Sequence, residues 1–137
     1  HLKKLRLQDH VRLLGALDAD AVRAKLEDAH IFVLPSLHEP LGVAYMEAMS
    51  MGVPTIASDD GGAPELIDDG EDGRLITPGR PAELARTIRD LAADADTLLR
   101  FSQSGRAKVL AQFRSSMGAE SLAREITTCQ KSDTGTT

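Results

Sequence analysis

The chain has 137 residues, 42% of them hydrophobic and 27% charged, which suits a single globular domain rather than a repeat array or a disordered tail. Its net charge of -5 makes it a poor electrostatic partner for nucleic acid or anionic lipid, and three Phe, one Tyr and no Trp leave few platforms for base stacking. The single cysteine, Cys129, excludes an internal disulfide and a multi-thiolate metal site, and points to a reducing, cytoplasmic setting.

In chain order, "HLKKLRLQDH" carries neither an initiator Met nor a signal-peptide core, and no apolar run approaches membrane-spanning length, so the chain reads as a piece of a longer protein. The runs "VRLL" (11–14), "IFVLP" (31–35), "TIAS" (55–58) and "RLIT" (74–77) are short, rich in Val, Ile, Leu and Thr, and mostly not alternating. That pattern predicts parallel strands buried on both faces. Between them, "DADAVRAKLEDA" predicts a helix with Asp18 as N-cap, and "GVAYMEAMSMG" a helix closed by Gly52. The fold class is therefore α/β, with a parallel sheet of about four strands flanked by helices.

Beyond Pro78, "RPAELARTIRDLAADA" places Leu84, Ile88 and Leu91 on one stripe behind Pro81, and helical stretches around 96–113 and 116–128 follow as carboxyl-terminal packing helices. The polar end, 129–137, predicts a flexible tail. "DDGEDG" (68–73) lacks the ligand pattern of a calcium loop, because Gly70 stands where a ligand is wanted, and reads as a solvated turn.

The chemistry concentrates in "SLHEPLGVAYMEAMSMGVP" (36–54), where Glu39 and Glu47 flank a glycine in a segment otherwise almost free of charge. With 31–35 as a strand, the loop after it lies where α/β sheets bind ligands. The amides of Leu41, Gly42 and Val43 at the following helix start suit a phosphate. Glu47, about 7.5 Å further along that helix, accepts hydrogen bonds only, which suits a vicinal diol such as the ribose pair. Spacing alone fits equally well a Glu47 that bridges to an arginine and a Glu39 that is simply solvated.

The longer stretch "HEPLGVAYMEAMSMGVPTIASDDGGAPELIDDGEDGRLITPG" resembles the carboxyl-terminal nucleotide-sugar-binding domain of family-4 (group 1) retaining glycosyltransferases of the GT-B fold, and the similarity runs from about Asp9 to Ile126. The resemblance implies an incomplete Rossmann-like sheet, with 1–128 forming a partial donor domain. It implies that Glu39 contacts hydroxyls of the transferred sugar as the nearest thing to a catalytic residue. Amides around Leu41, Gly42 and Val43 would hold sugar and distal phosphate, and Glu47 the ribose. Leu17, His38, Gly61 and Gly62 are candidates for base-contacting or pocket-lining positions. The donor would be a UDP- or GDP-linked sugar, without cofactor or metal.

The acceptor, a glycan, lipid or other hydroxyl compound, would bind an amino-terminal domain outside this chain, and the Arg and Lys that neutralise the diphosphate would come from a strand, loop and helix preceding His1. The implied setting is polysaccharide, glycoconjugate or glycolipid synthesis in the cytoplasm, with the intact enzyme at the membrane face. The chain alone would then be inactive. In the family's strand order two strands lie between 11–14 and the other three, so the first strand is expected to pack loosely or move. His10 and His30 read as polar edge residues, and Met46, Met49 and Met51 as core filling. Two alternatives compete with the transferase: a non-catalytic nucleotide-sugar-binding or interaction module, and a sugar-nucleotide epimerase, which the glutamate signature disfavours.

Overall fold

The computed structural model describes residues 3–40 and 42–112. Three parallel strands, β1 (Phe32–Leu34), β2 (Thr55–Ser58) and β3 (Arg74–Ile76), pair in the order β1-β2-β3. The register sets Leu34 beside Ala57 and Ala57 beside Leu75, so these side chains share one face of the sheet, while Val33 and Ile56 share the other. β2 is buried along its whole length, which explains why its sequence does not alternate between apolar and polar.

The helices follow the sequence closely. In α1 (Ala19–Glu27) the Asp18 carboxylate accepts the Ala21 N–H at 2.8 Å, the expected N-cap. α2 (Val43–Ser50) ends where Gly52 N–H and Val53 N–H turn back to the carbonyls of Met49 and Ala48. A single turn, α3 (Ala63–Leu66), follows β2, and α4 (Pro81–Ala92) presents its Leu84, Ile88 and Leu91 stripe to the sheet. Met49 is fully buried, whereas Met46 and Met51 are partly so.

The sheet divides two apolar layers. On one face Tyr45 and Met49 of α2 pack with Ala57, Ala63, Leu66 and Ile67; on the other Leu91 of α4 packs with Ile56 and Ile76. The long α5 (Ala95–Gln112) serves both layers, since Phe101 lies in the second cluster and Val109 in the first. Each such fully buried side chain contributes roughly 1.5–3 kcal/mol. The predicted helix at 116–128 and the tail at 129–137 lie outside the described residues.

Two expectations are corrected. "VRLL" forms no strand: residues 11–14 are irregular and exposed, with Leu13 at 81%. The segment pairs with none of the three strands, and an unpaired strand offers its N–H and C=O groups nothing that water does not, so the extended geometry is not held. "DDGEDG" is a solvated turn only in part: Asp68, Asp69 and Glu71 are exposed, but its fourth carboxylate is not. Asp72 is 4% exposed, accepts the Asp68 N–H at 2.9 Å, and pairs with Lys108 of α5 at 2.8 Å.

Lys108 also reaches Asp68 at 2.8 Å, Ser104 donates to the Glu71 carbonyl, and Arg100 to that of Gly70, so α5 is fastened along the whole turn. Gly105 marks the crossing point: a Cβ there would meet the Asp72 carbonyl at 3.0 Å and Met49 Cε at 3.3 Å. Burial works against the Lys108 charge, but the hydrogen bonds it donates to the Asp68 and Asp72 carboxylates, with their negative charges, outweigh it and hold the ammonium above the ordinary lysine range. Replacing Lys108 by Met is expected to strand the Asp72 carboxylate and cost about 2–4 kcal/mol in urea unfolding. Arg23→Ala, which breaks only the exposed α1 pair with Glu27, is expected to stay within about 0.5 kcal/mol of the parent.

Candidate functional site

The site begins where β1 ends. From Leu34 the chain runs through Pro35 into a loop over 36–40, and α2 begins at its cap Gly42, whose φ of 64° is left-handed. Any larger residue would be strained there, and a Cβ would meet the Tyr45 ring at 2.9 Å. Tyr45 is fully buried, its hydroxyl donates to the Leu34 carbonyl at 2.9 Å, and its ring meets Phe32 edge-on at 6.3 Å. Burial first, and then the nearby Glu39 carboxylate, push this hydroxyl above the ordinary tyrosine range, so it stays a neutral donor. Tyr45 therefore nails the helix start to the end of the strand.

The second half of the loop is held by the turn after β2. Asp59 N–H donates to the Ile76 carbonyl of β3, and Gly62 N–H donates to the Glu39 carbonyl, both at 2.8 Å. Gly61, with φ of 61°, lies so close that a Cβ would collide with the Glu39 carbonyl oxygen; one on Gly62 would meet the Pro40 carbonyl at 2.9 Å. Between these contacts Asp60 accepts from Gly61 N–H at 2.8 Å and from His38 N–H at 3.1 Å, and faces the His38 Nδ1 at 3.2 Å. His38 itself adopts a left-handed φ of 60° with its ring 88% exposed.

The candidate residues thus fall into two linked groups. His38, Glu39, Gly61 and Gly62 meet at the carboxyl end of the sheet, where the two glycines support the loop through backbone contact. Leu17 and Glu47 line one groove of about 730 Å³, together with Arg23 of α1 and Arg106 of α5. Val43 and Glu47, four residues apart on α2 and both exposed, connect the groups along one helix face. Leu41 lies outside the described residues. The Glu47 carboxylate makes no hydrogen bond or ion pair among the described residues, so the arginine bridge that spacing alone allowed is not formed there.

Sequence reasoning missed three contributors. Asp60 had a readable signal, since Asp before Gly-Gly commonly ties its own turn. Tyr45 had none beyond an apolar helix position, and Arg106, whose Nε donates to the Ser50 carbonyl at 3.1 Å, enters the groove only through the packing of α5 on α2. Among the described residues no cluster of His, Cys, Asp or Glu has metal-binding geometry.

Comparison with known proteins places this geometry in a family context. Residues 1–108 match the family model described as Glycosyl transferases group 1. Alpha-maltose-1-phosphate synthase of Mycolicibacterium smegmatis is 36% identical over 103 residues, covering 71% of this chain and 27% of that protein. The amylovoran biosynthesis glycosyltransferase AmsK of Erwinia amylovora is 33% identical over 85% of this chain and 30% of its own length. In structure, Anabaena HepE in complex with UDP-glucose aligns with a TM-score of 0.87 at 28% identity, covering 93% of this chain and 35% of that one. The chain thus spans about a third of the proteins it matches.

Backbone amides of His38 and Gly61 hold the Asp60 carboxyl below its ordinary value of 3.8. A depressed carboxyl stabilises the fold at pH above its unfolded pKa, and the contribution disappears as pH falls through the lower folded value. Protection of the His38 and Gly61 amides, taken relative to the intrinsic exchange rate at each pH, is expected to hold steady above the ordinary carboxyl range and to fall as pH drops through the lowered Asp60 value, ahead of global unfolding. Gly61→Ala, by contrast, is expected to cost about 2–3 kcal/mol at every pH, because it adds both a collision and a strained φ.

Proposed function

Because the chain belongs to the glycosyl transferases group 1 family, we propose that it is the donor-binding half of a retaining enzyme that moves a sugar from a nucleoside-diphosphate sugar to an acceptor hydroxyl. The observation that carries this reading is the Glu47 carboxylate, unpaired among the described residues and set in a groove of about 730 Å³ with Leu17. An anionic side chain that only accepts hydrogen bonds suits the ribose diol, and the adjoining residue 17 backbone suits the base. The amino end of α2, with Val43 exposed, supplies unpaired N–H groups for the diphosphate.

Glu39, beyond that helix start, takes the hydroxyls of the transferred sugar and offsets positive charge at the anomeric carbon as its bond to the diphosphate breaks. The departing diphosphate gains from the helix dipole, an electrostatic contribution of the kind that lowers barriers in a water-poor site. HepE holds UDP-glucose, which makes a UDP-linked sugar the first donor to test and a GDP-linked sugar the second. The AmsK name supports a biosynthetic role; for the whole protein we propose an acceptor in polysaccharide, glycoconjugate or glycolipid synthesis and a place on the cytoplasmic side of a membrane. Since the chain spans about a third of its relatives, we assign it donor binding and assign transfer to the whole protein.

Calorimetric titration with UDP and GDP tests the reading. Glu47→Ala, with folding checked by circular dichroism, is expected to weaken the preferred nucleotide about 10–100-fold, the loss of hydrogen bonds to a charged acceptor. Sugar transfer by the full-length protein, abolished in Glu39→Gln while nucleotide binding persists, separates an enzyme from a binding module. Nucleotide binding that is indifferent to Glu47 would overturn the assignment of the groove.

A further inference from the structure

We infer that Asp60 is a positioning residue for Glu39, and that it governs recognition of the transferred sugar without touching the nucleotide. The inference rests on the donor-site reading above and extends it to a residue outside the glutamate pair. Its basis is the juxtaposition of one carboxylate with two backbone segments. Oδ1 accepts the Gly61 N–H at 2.8 Å, and Oδ2 accepts the His38 N–H at 3.1 Å while facing the His38 ring Nδ1 at 3.2 Å. Both segments flank Glu39, whose own carbonyl accepts from Gly62 at 2.8 Å.

A carboxylate fits this position better than any neutral side chain. Three N–H groups converge on it when the ring carries its proton at Nδ1, and a carboxylate offers only acceptor sites. An asparagine has one acceptor oxygen, and its NH₂ would face one of the converging donors. The two residues that Asp60 bridges hold left-handed backbone, φ of 60° at His38 and 61° at Gly61. His38 lacks the freedom of glycine, so its conformation needs an external tie, and Asp60 is that tie. Leu37 and His38 are largely exposed and provide little packing to hold the loop in its place.

Glu47 lies on α2, whose start is fixed separately by Tyr45 and the Leu34 carbonyl. Loosening the Asp60 tie therefore moves Glu39 and leaves Glu47 where it is. The chemistry that responds is the sugar increment, meaning the gain in affinity of a nucleotide sugar over its nucleotide. Displacing a group that must meet hydroxyls by even an ångström costs substrate recognition far more than it costs stability.

The test measures binding of UDP and UDP-glucose, and of GDP and GDP-mannose, to the full-length protein and to Asp60→Ala, Asp60→Asn and Glu39→Gln. Expected is a sugar increment reduced roughly tenfold in Asp60→Ala, less in Asp60→Asn, with free-nucleotide affinity within about twofold of the parent. The double variant Asp60→Ala/Glu39→Gln is expected to lose no more than Glu39→Gln alone, the signature of two residues acting through one contact. An undiminished increment in Asp60→Ala overturns the inference and leaves the donor site intact. Parallel loss of nucleotide and nucleotide sugar also overturns it, since Asp60 would then be a general structural residue. A parent protein that binds no nucleotide overturns the donor reading and this inference with it.

Discussion

The contact on which the candidate site depends is backbone against backbone: the Gly61–Gly62 turn pressed onto Glu39 and Pro40. Leu37 and His38 expose most of their surface, so the loop has little apolar packing to define it. Its shape comes instead from the turn, and the turn's position comes from β3 through the Asp59 bond to the Ile76 carbonyl. The order of dependence therefore runs from the sheet to the glycine turn and from there to the Glu39 carboxylate. A side chain at Gly61 or Gly62 would break it at the point where two carbonyl oxygens already occupy the space.

α2 is positioned by different means at each end. Its start is tied to β1 by Tyr45, and its end is overlaid by α5, where Arg106 donates to the Ser50 carbonyl and Gly105 admits Met49. α5 is in turn locked to the 68–73 turn by Lys108, Ser104 and Arg100. Glu47 stands between these two attachments, on a helix whose neighbours fix its position while its carboxylate stays free of partners among the described residues. A rigid support under an uncommitted acceptor is what ligand recognition requires, because the group is ordered before the ligand arrives.

Much of this was legible in the sequence, and the rest was not for identifiable reasons. β2 over "TIAS", the Asp18 cap and the stripe of α4 follow from local rules of propensity, capping and period, and they appear where those rules put them. "VRLL" has the composition of a strand but no strand beside it, and strand formation depends on a partner that local sequence cannot supply. "DDGEDG" looked solvated because acidic turns usually are; the cation that buries Asp72 lies 36 residues further along, on another element. Glu47 was legible as an isolated charge on an apolar helix, whereas the tie between Asp60 and His38 needed two loops to meet.

The distribution of charge sets how the two halves of the candidate site divide their work. From Ile31 to Gly73 the sequence contains no lysine or arginine, and His38 is the only histidine there. What this segment itself can offer an anion at the α2 start is backbone amides and the helix dipole, which contribute about 0.3–1 kcal/mol at exposed sites and up to ~2 in partly buried ones. With Val43 half exposed, the lower end applies. Two carboxylates, by contrast, each accept hydrogen bonds worth about 1.5–3 kcal/mol when the acceptor is charged. In the donor reading, discrimination in this half rests on hydroxyl recognition by Glu39 and Glu47 more than on phosphate attraction. The backbone contacts that orient Glu39 then matter more to selectivity than the helix start itself.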